Sequence, residues 1–224
     1  MSEGRPPACG PEAAEVALVV LAHPQPGSFS HAVARTAART LAAQGHEVRF
    51  HDLYAEGFDP VQPVVEAGND RSCDPLVERH CEDLALASVI VVCHPNWWGQ
   101  PPAVMKGWID RVFRLGTAYR YPEGVGFDGE PVGLLRARCA WVFHTSNTPP
   151  AREQAVFGDP LARIWRDCVF RLCGVNDVRR RTFGPMASST EDQRRAWLRE
   201  VEQGLAAVGP ADRPVLSGYL PRSR

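Results

Sequence analysis

"SVIVVCHPNWWGQPPAVMKGWIDRVF", residues 88–113, passes from an apolar run, through a loop with two tryptophans and three prolines, into an amphipathic stretch. Ordinary turns favour small polar residues, so this loop asks to be read as more than a connection. The flanking segments read as a strand at 88–93 and a helix over 101–114, where Pro101-Pro102 opens the helix at positions whose missing amides cost little. Further strand-like runs lie at 16–22 ("VALVVLA"), 47–53 ("EVRFHDL") and 139–145 ("CAWVFHT"), with a more polar candidate at 175–183. The run at 16–22 is apolar throughout rather than alternating, as in a parallel strand covered on both faces. Helical patterns over 28–44, 74–86 and 159–174 separate the runs, and one over 189–208 closes the series. This alternation predicts an α/β fold: an open parallel sheet with helices on both faces. Such sheets bind ligands beyond the carboxyl ends of their strands. The informative residues do follow strands: "HPQPGSFS" at 23–30, "HPNWWGQP" at 94–101 and "HTSNTPP" at 144–150.

The 224 residues, 44 % of them hydrophobic, suffice for one core. We expect a single domain over 15–208, tails at 1–14 and 209–224, and an ordered excursion at 54–74. With 25 basic and 26 acidic residues, no global field recruits nucleic acid or an anionic membrane. The apolar runs fall well short of the ~20 residues that span a bilayer. The N-terminal residues lack a secretory pattern, so the cytoplasm is the expected compartment. Seven cysteines form an odd set without a C-x-x-C pair, which argues against a disulfide framework and against zinc; no metal is expected. Cys93, Cys139 and Cys168 sit inside apolar segments and read as buried small apolar residues.

Three loops carry candidate chemistry. In the first, which begins at His23, Ser28-Phe29-Ser30 opens a helix; the serines serve as caps, and the free amides beside them suit a phosphate. Neither a dinucleotide fingerprint nor a P-loop is present. In the second loop, proline-stiffened Pro95, Asn96, Trp97 and Trp98 offer a wall for a flat aromatic ligand, the alternative being that both indoles plug the core. Lys106 and Asp110, four apart on the helix, read as a solvated pair. The third loop, Thr145-Ser146-Asn147-Thr148, supplies hydroxyls, an amide and backbone donors.

These residues resemble the flavodoxin-like NAD(P)H:quinone oxidoreductase family, of the DT-diaphorase-like, flavodoxin-2 type. That family's first loop reads roughly A-H-x-x-x-x-S-F-N, and Ala22-His23 with Ser28-Phe29-Ser30 keep the spacing. Its ring-side loop and helix resemble P-x-x-W-x-x-x-P-A-x-x-K-G-W-x-[ED]-R-V-F, matched from Pro95 through Phe113. Ala118-Tyr119-Arg120-Tyr121 is similar to an A-Y-x-Y whose tyrosines line the neighbouring subunit's cavity. The resemblance covers 16–205. It implies a five-stranded doubly wound sheet of order 2-1-3-4-5.

The same resemblance places Phe29, Ser30, His31 and Ala32 at flavin phosphates, Pro95 to Trp98 at the ring, and Thr145 to Thr148 opposite. It implies FAD, with FMN as the alternative; Arg194 or Arg195 stands where FAD users place an arginine near the adenosine. It further implies hydride transfer from NAD(P)H to a quinone-like acceptor with ping-pong kinetics, in a homodimer where Trp98, Tyr119 and Tyr121 meet substrate. Animal members carry a tyrosine and a histidine that steady the reduced flavin. Here those positions hold Ala151 and Phe157. Asn147, Thr148 and Arg152 are the candidate catalytic replacements. Two other readings share the fold: a flavin-binding regulatory subunit of a potassium efflux system, and a flavodoxin-type electron carrier.

Overall fold

The computed structural model describes residues 14–208 apart from 70, 125 and 127, so the expected tails at 1–14, except for residue 14, and at 209–224 lie outside the described residues. In chain order the elements are β1 (Val16–Leu21), α1 (Phe29–Ala43), β2 (Glu47–Asp52), α2 (Pro75–Leu86), β3 (Val89–Pro95) and α3 (Ala103–Val112). The two-residue strands β4 (Tyr119–Arg120) and β5 (Val132–Gly133) follow, then β6 (Cys139–Thr145). Helix α4 (Pro150–Arg152) runs into a π turn (Glu153–Phe157), and α5 (Pro160–Ala162) into a π-helical segment (Arg163–Phe170), before β7 (Asp177–Phe183) and α6 (Glu191–Ala206).

The large sheet is parallel in the order β2-β1-β3-β6-β7, which is the expected 2-1-3-4-5 once the small β4–β5 hairpin is set aside. Both faces are covered. Leu18, Val20, Ile90 and Val92 pack with Met105, Trp108, Trp165 and Phe170 on one side; Ala17, Val19, Val89 and Val91 pack with Val33, Leu41, Val201 and Leu205 on the other. Alternate residues of each central strand therefore enter different cores, which is why the runs are apolar without alternation.

The described residues of the excursion at 54–74 lie against α3 through Asp59, Pro60 and Glu66. Arg111 is 3 % exposed; its Nε and Nη2 donate to the two Glu66 oxygens at 3.0 and 2.7 Å, and its Nη1 to the Asp59 carbonyl at 2.7 Å. Gly107 lets the chain come closer still, since a Cβ there would lie 2.3 Å from the Pro60 carbonyl oxygen. Lys106 and Asp110 form the exposed pair expected of them. Cys93 and Cys139 are buried as expected, but Cys168 is exposed: it lies on the outward side of the π-helical segment whose Trp165, Val169 and Phe170 face the core. Among the described residues, no helix is long and apolar enough to cross a membrane.

Candidate active site

The loops after β1, β3 and β6 leave the same sheet edge and surround a cleft of about 980 Å³, a size typical of small-molecule sites. The first loop brings His23, Ser28, Phe29 and Ser30 to the cleft. Ser28 caps α1: its Oγ accepts from the His31 amide at 3.4 Å, while the Ala32 amide bonds the Ser28 carbonyl at 3.2 Å. The first-turn amides of Phe29 and Ser30 are those the helix geometry leaves open, and the positive end of its dipole favours an anion beside them. His31 and Ala32 do not line the cleft. Instead His31 is buried and bridges Ser28 Oγ at 2.8 Å to Asp52 at 3.2 Å, holding the cap in place.

The tryptophan loop is a tight two-residue turn. Trp97 and Gln100 exchange backbone hydrogen bonds at 3.0 Å, and the central residues Trp98 and Gly99 have φ of 57° and 72°. Positive φ at both positions defines the type I′ turn, which normally takes Asn-Gly; a tryptophan there carries strain on the order of 1–3 kcal/mol. Asn96 Oδ1 steadies the turn by accepting from the Gly99 amide at 3.0 Å. Trp97 is 42 % exposed and Trp98 fully exposed, so neither indole plugs the core. Both face the cleft or its mouth.

Thr145, Ser146, Asn147 and Thr148 form the facing wall. Ser30 Oγ and Thr145 Oγ1 approach to 3.5 Å, tying this wall to the first loop. Asn147 Oδ1 accepts from the Ala187 amide at 2.9 Å, which leaves its NH₂ group as the available donor. Composition did not single out the fourth wall. Glu153, Phe157 and Pro160 close the cleft from the segment after β6, and Met186 and Arg194 from beyond β7. Arg194 is held by Ser189 Oγ at 2.8 Å and the Met186 carbonyl at 3.2 Å, whereas Arg195 turns to Glu191 and Asp192. Arg152 is exposed and does not line the cleft. Tyr119 and Tyr121 sit in a separate groove of about 200 Å³ with Ile109, Phe113 and Leu172.

A second polar cluster lies away from the cleft. His51, Glu56 and His80 offer ligand atoms within 4.8 Å of one another, a spacing that raises the question of a metal. The indole N–H of Trp108 points at His80 Nδ1 at 2.9 Å. Since an indole only donates, that imidazole carries its proton on Nε2, the nitrogen facing Glu56 at 3.1 Å, and offers no lone pair there. The cluster is arranged for protons. Burial opposes charge on His51, but bonds to Glu56 and Asp83, each at 2.9 Å, outweigh it and raise its pKa above 6.5. Burial likewise opposes charge on Glu56, yet the histidines bring it down to about 2. A raised histidine stabilises fully below its unfolded value and loses that contribution as pH rises through the folded one. Thermal unfolding across pH should show the wild-type advantage over His51→Asn greatest between about pH 4.5 and 6.5, where Glu56 is ionised and His51 charged, shrinking above that window as His51 loses its proton and below it as Glu56 gains one; an advantage that grew above about pH 6.5 would contradict the charged bridge.

A family model described as "Flavodoxin-like fold" matches residues 16–205. An "Uncharacterized NAD(P)H oxidoreductase" of Haemophilus influenzae is 29 % identical over 196 residues, covering 85 % of this chain and 94 % of the relative. A "Ribosyldihydronicotinamide dehydrogenase [quinone]" of Rattus norvegicus is 28 % identical over 215 residues, covering 85 % of this chain and 90 % of the relative. Among solved structures, a protein of Streptococcus mutans UA159 superposes with a TM-score of 0.74 at 28 % identity, over 86 % of this chain and 99 % of that one.

Proposed function

The chain belongs to the family with the flavodoxin-like fold, and from that premise we propose that it is an NAD(P)H-dependent quinone oxidoreductase whose cleft holds a flavin. One observation carries the reading: an anion-ready helix start, an aromatic turn and a polar wall converge on one cleft at the carboxyl edge of the sheet. The names of the relatives in H. influenzae and rat support the same reaction class.

The residues fit the group. The amides of Phe29 and Ser30, with the Ser28 and Ser30 hydroxyls, suit a phosphate; Pro95 to Trp98 and Thr145 to Thr148 suit the two sides of a flat ring. When bound, a flavin supplies the two-electron hydride chemistry. The chain's own work is to orient the ring, exclude water with Trp97, Phe157 and Pro160, and offer donors from Asn147 and Thr148 where the family's Tyr/His pair is missing. Arg152 lies outside the cleft and takes the weaker share of that role. Nicotinamide and then a quinone-like acceptor occupy the same open side in turn, which gives ping-pong kinetics. We assign FAD over FMN, a choice supported by Arg194 at the cleft wall. Because Tyr119 and Tyr121 do not line their own chain's cleft, a substrate role for them requires a second copy, so the reading includes a homodimer.

Anaerobic titration with NADPH or NADH, followed by visible absorbance, tests the proposal. A bound flavin should bleach stoichiometrically and recover on addition of a quinone; flavin released by heat identifies itself by mass, and sedimentation of the same sample gives the oligomeric state. A flavin that stays oxidised with both nicotinamides would move the assignment to the carrier or regulatory reading, and a protein without flavin affinity would end it.

A further inference from the structure

Beneath the cleft the sheet carries an unusual polar row. His94, His144 and Thr182 lie in register across β3, β6 and β7, on the face otherwise packed with Trp165 and Phe170. The imidazoles of His94 and His144 stack with centroids 5.8 Å apart, and the Arg180–Asp159 ion pair lies alongside. His94 is 0 % exposed. A buried imidazole is costly unless its nitrogens are bonded, whereas a hydrocarbon ring would fill the space without that cost. Both nitrogens are bonded: Nε2 accepts from the Trp165 indole at 2.9 Å, and Nδ1–H donates to the Pro95 carbonyl at 2.8 Å. An indole donates only, so Trp165 fixes which nitrogen of His94 carries the proton. Burial brings the His94 pKa down to about 4, which keeps the ring neutral at pH 7.

The consequence falls on the peptide between Pro95 and Asn96. Its carbonyl is held inward by His94, and its N–H by the Thr145 carbonyl at 2.7 Å, so the plane is pinned at both ends. The tryptophan turn begins at its next residue. We infer that His94 is a positioning residue of the cleft: its proton, placed by Trp165, sets the Pro95–Asn96 peptide and through it the orientation of Trp97 and Trp98 toward the ligand. The inference rests on the flavin reading only for the identity of that ligand.

The test uses the full chain, stripped of any flavin, as wild type, His94→Asn and His94→Gln. Asparagine places its NH₂ near Nδ1 and keeps the donor to Pro95; glutamine places its carbonyl near Nε2 and keeps only the acceptor for Trp165. Each protein is titrated with FAD by flavin fluorescence, and the indole N–H signals of Trp97 and Trp98 are recorded by NMR without flavin, with thermal unfolding alongside. His94→Asn should bind FAD within about threefold of wild type, and His94→Gln at least about tenfold more weakly, the loss of one buried hydrogen bond. The Trp97 and Trp98 signals should move in His94→Gln alone. Equal effects of both variants on affinity and signals, in step with lost thermal stability, would overturn the positioning role. Wild type that leaves the fluorescence of both FAD and FMN unchanged would overturn the flavin reading instead, and the indole signals then decide the role of His94 by themselves.

Discussion

Glu66→Gln should destabilise the protein by on the order of 3–5 kcal/mol, the cost of leaving a buried charge without its partner. Glu66 and Arg111 are each 3 % exposed and share two parallel hydrogen bonds. Those bonds, working against burial, hold the Glu66 carboxyl below its usual range. Glutamine keeps the shape but brings one NH₂ against a guanidinium that can only donate. Asp74, 3.6 Å from Nη2, is partly exposed and lacks the two-pronged geometry to take over. Urea unfolding should show the loss as a lower midpoint at unchanged slope. Replacing both partners by apolar residues, Glu66→Leu with Arg111→Met, should recover most of it, because no unpaired charge then remains. A single variant within about 1 kcal/mol of wild type would mean that the pair is solvated in the protein.

Gly107→Ala should also fail, although alanine in a helix is ordinarily worth about 1 kcal/mol over glycine. The added methyl would sit 2.3 Å from the Pro60 carbonyl oxygen and 2.4 Å from its Cα. These are backbone atoms, so relief requires moving the 54–66 segment away from α3. We expect a net loss on the order of 3 kcal/mol, read as a fall in melting temperature of about 10 °C. A higher melting temperature would show that the segment yields freely. Both changes act on the same contact, and their effects should combine less than additively.

The fold was legible because its central strands β1, β3 and β6 are apolar on both faces and most of the helices between the strands keep a regular period. The sheet order came from resemblance, since periodicity does not reveal which strands pair. The three loops were legible as a group because they all follow strands. Other features gave no signal for particular reasons. Glu153 and Met186 reach the cleft from segments whose composition is that of ordinary surface, and Arg194, on a charged terminal helix, was indicated by the resemblance alone. Cys168 lies in an apolar stretch, but the π-helical winding there breaks the period by which an inward face is recognised. His94 reads as a polar residue ending a strand, and only the fold brings Trp165, 71 residues later, within reach of it. The positive φ at Trp98 is hidden for the opposite reason: residue preferences point to another residue there.

That mismatch at Trp98 bears on how the sequence is free to change over generations. Stability alone would let this site drift to asparagine or glycine, which the turn accepts without strain. An indole that persists there is retained by selection of a kind that folding does not report. At position 98 fitness for the fold and fitness for the proposed task pull in opposite directions, so relaxed selection on the task would leave a trace there.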